Sequence, residues 1–423
     1  MKESLLQFIW KLKLFSITKL CGSKSELIEI VSVGLENTNA GPDFLNAKIR
    51  INGQLWAGNV EIHVKSSDWY AHSHEADSNY DAVILHVVWE NDMEIFNTSN
   101  KSIPTIELKH FILPRVLTNY QILFEKKKEW INCEKSIKEI DNLVLYNWLE
   151  RMYFERLELK EKEVKIIFDN SNSNWEETLF ILLAKNFGLK INAEAFFQLA
   201  NSTDFSIVRK VSSNLVEFEA LLFGQAGMLS NKKESEYYNL LQKEYHYLKT
   251  KFLLHSIVGS QIQFFRLRPS NFPTIRLAQL AMLYHLHQNL FSKLMEAKNG
   301  EDFYTIFNIR TSDFWENHFT FEKESKKTVK KLSKSFIDLI IINTILPIKL
   351  MYLKQRGVDD AGAILEIIET LKPEKNTIVS NFEKIGVTVK SAFETQALLQ
   401  LKNEYCTKQQ CLKCMVGKEL LKN

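Results

Sequence analysis

Hydrophobic and polar residues follow two rhythms in three successive stretches of this chain of 423 residues. In MKESLLQFIWKLKLF the apolar positions are broken by lysines at helical spacing, which predicts an amphipathic helix over about residues 3–15. From Glu26 the period shortens to two. ELIEIVSVG (26–34) predicts a strand, the turn-rich ENTNAGPD follows, and Leu45, Ala47, Ile49 and Ile51 mark one side of the next strand. Asn52-Gly53, set between alternating runs, is the strongest short hairpin signal. In NVEIHVK, Val60, Ile62 and Val64 alternate with Glu61, His63 and Lys65. That spacing puts three apolar side chains on a buried face and a carboxylate, an imidazole and an ammonium together on the other. The polar segment 66–80 suits a short helix or loop. DAVILHVVW (81–89) is a continuous apolar run, expected of a central strand covered on both faces, and IPTIEL (103–108) predicts one more strand.

From about residue 115 the period becomes 3.6, as in LVLYNWLERMYFERLELK (143–160), WEETLFILLAKNFG (175–188) and RLAQLAMLYHLHQNLFSKLMEA (276–297). Breaks are expected near 170–174, 230–234, 268–273 and 322–328. The fold class is therefore α+β: an α/β domain with a mixed sheet over residues 1–115, then an all-helical domain over 116–423. The most apolar later stretch, FIDLIIINTILPIKLMYL (336–353), carries Asp338, Asn343, Pro347 and Lys349. It predicts a buried helix kinked at Pro347 rather than a membrane span. The charged run EKESKKTVKKLSK (322–334) is expected to be a solvated loop and helix start.

Composition changes this picture little. With 45% hydrophobic and 25% charged residues, 7 prolines and 14 glycines, the chain is of ordinary globular type. A formal charge of +3 neither predicts nor excludes a nucleic-acid partner. The N-terminus lacks the unbroken apolar centre of a signal peptide, so a cytoplasmic protein without membrane contact is expected. Five cysteines, an odd number outside a secreted context, do not point to disulfides.

Candidate chemistry concentrates between Asn37 and Trp89, which hold four of the ten histidines with Asp43, Glu61, Lys65, Asp68 and Asp77. A metal-dependent phosphodiesterase needs two carboxylates for Mg²⁺ or Mn²⁺ and a cationic or proton-transferring group beside the attacking water. Asp43 at the start of one strand and Glu61 on its hairpin partner can supply the first, meeting at one sheet edge. His63 and Lys65 can supply the second. The competing reading makes Asp43 a turn residue and Glu61, His63 and Lys65 the wet face of a hairpin. His72, His74 and Asp77 form an HxHxxD group able to bind Zn²⁺ or Mn²⁺, or simply a polar loop. His86, inside an apolar run, reads as a hydrogen-bonded core histidine.

Two further groups stand out. Cys406-x4-Cys411-x2-Cys414 places three thiols in nine residues, suited to zinc or an iron–sulfur cluster with a fourth ligand from Cys21, Cys133 or a histidine. The same thiols also fit the buried face of a last helix. In FFRLRPSNFPTIRLAQLA (264–281), Arg266, Arg268 and Arg276 surround two prolines ahead of a helix. They can grip phosphate of a substrate, or pair with carboxylates to pin a rigid loop between helices.

The order helix, strands, Pro42-Asp43 opening one strand and an acid at Glu61 on the next resembles the PD-(D/E)xK nuclease superfamily over roughly residues 3–90. The resemblance implies that Asp43 and Glu61 bind the metal, with His63 or Lys65 orienting the water. The family's lysine two places after the acid is replaced here by His63, and lysine appears only at Lys65. Some of these nucleases hold an iron–sulfur cluster with one early cysteine and three late ones, a layout that Cys21 and the terminal trio resemble. NAGPDFLNAKI, GNVEIHVKSSDW, the HxHxxDxxY segment, FRLRPSNFPTIRLAQLA and YCTKQQCLKCMVG together resemble the bacterial family called domain of unknown function 2851, which brings no activity with it. The expected function is thus hydrolysis of nucleic-acid phosphodiesters. The alternative is a non-catalytic nucleic-acid-binding or scaffold protein on a degenerate nuclease fold.

Overall fold

The computed structural model describes residues 1–124, 129–255, 262–358 and 361–422. By its internal contacts the chain divides into two compact units. One comprises 1–148 with 385–387 and 401–423, and the other 149–384 with 388–400.

The first unit opens with helix α1 (Glu3–Leu12), whose Leu5, Leu6, Ile9 and Trp10 are fully buried. A six-stranded mixed sheet follows, built from β1 (Ile28–Ser32), β2 (Leu35–Glu36), β3 (Phe44–Ile51), β4 (Gln54–Lys65), β5 (Val83–Glu90) and β6 (Thr105–Glu107). Its order is β1-β3-β4-β5-β6, with β2 beside β3. β1, β3 and β4 are antiparallel neighbours, whereas β4, β5 and β6 run parallel. Parallel pairing of β4 and β5 requires a crossover, and residues 66–82 supply it through α2 (Asp68–Ala71) and two 3₁₀ turns.

The β3–β4 hairpin turns on Asn52 (φ 50°) and Gly53 (φ 85°). Positive φ at both central positions is the primed turn whose twist matches the flanking strands. The Asn52 carboxamide oxygen also accepts the Leu27 N–H at 2.8 Å. Further along, Gly58 lies so close to β5 that a Cβ there would sit 2.5 Å from the Ala82 carbonyl oxygen and 2.4 Å from Ile84. Only glycine permits this approach.

Ile49, Val60, Ile62, Leu85 and Val87 form one core with the buried face of α1. The other face of β4 is not wet, as a hairpin pattern alone suggests: Glu61 is 5% exposed and His63 1%. The crossover folds over it, placing Trp69 against the His86 and His74 rings. The change of hydrophobic period near residue 115 falls inside this unit. Helix α3 (Pro114–Phe124) packs Val116 and Leu123 into the sheet core, and the helix Met415–Lys422 adds Leu421 to it.

Helix α4 (Asn142–Asn170) carries the chain into the second unit, which is helical. There the stretch Lys334–Gln355 is long and apolar enough to cross a membrane, but 78% of its most apolar window is buried in the protein. Its irregularity lies just before Pro347, as a π-helical turn over Ile341–Ile345. In the charged run 322–334, Lys330 departs from the expected solvation. It is buried, and its ammonium donates to the carbonyls of Trp315 and Glu316.

Candidate metal centre

Period two along β4 brings Glu61 and His63 to one side, and β5 adds His86, the register partner of Glu61. The crossover contributes two more imidazoles. His72 ends α2, and Ser73 turns the chain with φ 60° before His74 begins the next 3₁₀ turn. That left-handed residue lets side chains two positions apart converge, and the His72 and His74 ring centroids are 5.4 Å apart.

The result is a group in which one ligand atom each from His63, His72 and His74 lies within 4.8 Å of the others. Glu61 Oε1 is 3.5 Å from both His63 Nε2 and His74 Nε2. His72 Nδ1 lies 3.1 Å from His63 Nε2, and the opposite nitrogen of His63 meets His86 Nε2 at 2.9 Å. Tyr80 stacks on His74 at 3.7 Å between centroids, fixing that ring from behind. His63 and His74 are buried while His72 is exposed, so the group opens to solvent on the His72 side.

The carboxylates form a second layer. The backbone N–H of Asp43 donates to Glu61 Oε2 at 3.0 Å. Asp43 Oδ2 accepts the Ile62 N–H at 3.1 Å, and Oδ1 accepts the Gln7 carboxamide at 2.9 Å. Gln7 also donates to Glu3 at 3.3 Å. Asp43, just before β3, and Glu61, on β4, therefore meet beside interior strands and not at an edge strand of the sheet.

Burial dominates the electrostatics. It pushes Glu61 up to about 9, helped by the charge of Asp43, and raises Asp43 and Glu3 above the usual carboxylate range. Burial and the neighbouring His74 and His72 hold His63 down at about 3, and burial also lowers His74 and His86. The buried imidazoles are thus neutral at physiological pH, the form that offers a lone pair to a metal. Among the described residues Glu61 meets the basic groups of His63 and His74 alone, and no Lys or Arg is paired with this buried acid. A buried carboxylate held by imidazoles rather than a permanent cation suits a divalent ion.

Against this geometry stands one comparison. Residues 3–377 match the model of the family described as protein of unknown function, DUF2851. The chain belongs to this family. The matched stretch contains the whole histidine group and ends ahead of Cys406. No curated protein and no solved structure matches the chain.

Of the residues singled out from sequence, Asp43, Glu61, His63, His72 and His74 come together. Lys65 does not join them in any polar contact: it is exposed at the end of β4, and its backbone N–H donates to Asp68. Asp77 acts as a turn residue, its carboxylate accepting the Asn79 N–H at 2.9 Å, and reaches His74 only through its charge. Arg266, Arg268 and Arg276 belong to the second unit. Arg276 is buried above the Phe336 ring, donating to the side-chain amides of Asn271 at 2.6 Å and Gln279 at 2.8 Å rather than to a carboxylate. Arg266 and Arg268 are exposed. Cys406, Cys411 and Cys414 lie in the first unit, where Cys21 is exposed and Cys133 is the cysteine that faces them.

Three contributors escaped sequence reading. Gln7 and Glu3 sit on the polar side of an amphipathic helix, where nothing distinguishes them from solvated residues. Asp92 ties the ends of β4 and β5 together by accepting from the Ser66 and Ser67 hydroxyls at 2.9 and 2.8 Å, which fixes the start of α2. The Ser66-Ser67 pair followed by Asp68 was the only local trace of that knot.

Proposed function

We propose that the first unit binds a divalent transition-metal ion through His63, His72, His74 and Glu61, and uses this centre to hydrolyse phosphodiester bonds of a nucleic acid. The observation that carries the metal is the convergence of three imidazole ligand atoms within 4.8 Å beside Glu61 Oε1. Nitrogen-rich sets favour Mn²⁺ or Zn²⁺ over Mg²⁺, which prefers oxygen and holds its waters.

The polymer substrate is supported by topology. A helix, an antiparallel run of β1, β3 and β4, a short helical crossover and a parallel β5 follow the order that resembles the PD-(D/E)xK nucleases. Acids stand on α1 (Glu3), before β3 (Asp43) and on β4 (Glu61). His63 occupies the position of that family's lysine, so an imidazole takes the place of the ammonium.

In this reading Glu61 joins the imidazoles as ligand, and Asp43 holds Glu61 in place through its backbone N–H. His86 orients His63. A bound divalent ion would supply Lewis acidity and a water acidic enough to ionise near neutral pH. His72, on the solvent side, marks where a substrate would approach, and Lys65 is an exposed cation on the same strand for its phosphates.

The test is calorimetric titration of the full chain with Mn²⁺ and Zn²⁺, followed by incubation with labelled single- and double-stranded DNA and RNA. Metal binding that His74→Ala abolishes, with cleavage lost in the same variant, is the expected result. Absence of binding at millimolar metal would remove the centre. Binding without cleavage of any of the four polymers would remove the hydrolase.

A further inference from the structure

A second set of metal-binding side chains lies in the first unit, away from the histidines in sequence. Cys133 comes from the loop ahead of α4; Cys406, Cys411 and Cys414 come from the chain's return. All are free thiols. Two contacts hold the segments together. The Trp130 carbonyl accepts the Lys402 ammonium at 3.3 Å, and Asn132, next to Cys133, donates its carboxamide N–H to Cys411 Sγ at 3.5 Å. The Trp148 and Tyr405 rings also meet edge to face at 5.2 Å. Cys133 consequently lies within electrostatic reach of the other three sulfurs, and Cys406 within reach of Cys411 and Cys414.

The late segment is shaped around its sulfurs. Cys406 closes a π-helical turn, Leu401–Cys406, a local irregularity that often marks functional positions. The Cys414 N–H bonds back to the Cys411 carbonyl at 3.2 Å, making a tight Cys-x2-Cys turn. The N–H groups of Val416 and Gly417, at the start of the last helix, are directed at the Cys414 sulfur. A Cβ at Gly417 would lie 2.1 Å from the Cys411 carbonyl oxygen, so the close approach depends on glycine.

Thiols packed as small apolar groups have no need of N–H donors. Thiolates do, because buried negative charge must be spread, and hydrogen bonds to sulfur are a feature of thiolate metal sites. We propose that Cys133, Cys406, Cys411 and Cys414 ligate a thiolate-bound metal centre, either an iron–sulfur cluster or a zinc ion. Burial raises Cys406 to about 12 and Cys411 to about 11, so without a metal these thiols are protonated and inert. A coordinated metal ion deprotonates its thiol ligands outright. Among the described residues the histidine set is the group whose ligand atoms all fall within 4.8 Å. No three of the four sulfurs therefore share that spacing among the described residues, as they would at the roughly 3.8 Å edge that bonds of about 2.3 Å give a tetrahedral zinc site. A polynuclear cluster, with irons and sulfides between its thiolates, takes the wider frame.

The centre is independent of the histidine site, and the experiment keeps the two apart. The full chain, produced with iron and zinc both supplied and purified without oxygen, is analysed for metals and acid-labile sulfide. X-ray absorption at the bound metal's edge then reads the ligand atoms. Iron with sulfide, visible absorbance and a sulfur shell is the expected result, unchanged in His74→Ala and Cys21→Ser and lost in Cys133→Ser. About one zinc with four sulfur neighbours supports the same four ligands with the other metal. A shell of nitrogen and oxygen only, or no metal retained, overturns the proposal. The absorption measurement on the unaltered chain decides this even where Cys133→Ser fails to fold.

Discussion

His63 Nδ1 lies 2.9 Å from His86 Nε2 in the interior of the first unit, and this contact leaves His63 Nε2 facing Glu61 and His72. Ligation through Nε2 requires the proton on Nδ1, donated to His86, a tautomer inferred from the contacts. The other nitrogen of His86 is buried and has no hydrogen-bond partner among the described residues. Such an orphan costs about 1–3 kcal/mol and calls for a reason beyond packing. His86→Leu is therefore expected to weaken Mn²⁺ or Zn²⁺ binding by about 10- to 100-fold. The melting temperature of the metal-free protein should change little, because the unsatisfied His86 nitrogen is removed while the buried His63 Nδ1–H loses its acceptor. Titration calorimetry and thermal unfolding read the two effects separately; unchanged affinity would reduce His86 to a core residue.

Glu61 combines a ligand position with burial beside Asp43, which pushes its carboxyl up to about 9 and holds it protonated near neutral pH without metal. Glu61→Gln keeps the shape of that neutral group and removes its capacity to ionise onto a metal. Without metal the variant should unfold at the same or a higher temperature than the parent. At a hundredfold excess of Mn²⁺ over Kd the parent gains about 2.7 kcal/mol from binding alone. The variant is expected to lose most of that gain and all metal-dependent cleavage. A full metal-induced shift in Glu61→Gln would take Glu61 out of the ligand set.

The strand pattern of the first unit was legible because a period of two decides which side chains share a face. Glu61 and His63 emerge as neighbours from alternation alone, and Asn52-Gly53 announces its hairpin. What lies on top of that face is not a local property. Burial of Glu61 depends on α2 folding back, which rests on Asp92 gripping Ser66 and Ser67 and on Ser73 adopting a left-handed conformation. Lys65 shares the alternation with His63 but outruns the cover, and so stays exposed. Cys133 shows the same limit at longer range: its proximity to Cys411 is set by packing between the loop at 130–137 and the last helix. Spacing along the chain carries no record of it.

In the second unit Glu219 is buried among the Tyr237 hydroxyl, the Ser312 hydroxyl and the Trp315 indole, all donating to it. Burial raises its pKa from the ordinary 4.5 to about 7. Between these values the folded chain binds a proton that the unfolded chain releases. Stability is therefore greatest below about pH 4.5 as far as this group is concerned, and falls as pH rises through 7, by up to about 1.4 kcal/mol per pH unit. Glu219→Gln should flatten that slope in denaturant unfolding followed from pH 5 to 7.5. A parent and variant with parallel profiles would show that Glu219 titrates normally.

The π turn before Pro347 leaves a carbonyl to be satisfied. Five residues after Ile342 the ladder requires an N–H, and that residue is proline. Lys160 fills the gap: its ammonium donates to the Ile342 carbonyl at 3.3 Å, to Asn343 Oδ1 at 2.8 Å and to Gln396 Oε1 at 3.2 Å. Burial lowers its pKa to about 7, so the side chain is held there against a desolvation cost. Lys160→Met is expected to destabilise by about 1–3 kcal/mol, the cost of buried acceptors left unpaired. Pro347→Ala restores a backbone donor at the same place, and so should relieve part of the loss when the two are combined. Chemical denaturation of the parent, both single variants and the double variant gives the coupling energy. Strictly additive effects would mean that Lys160 and Pro347 do not serve the same carbonyl.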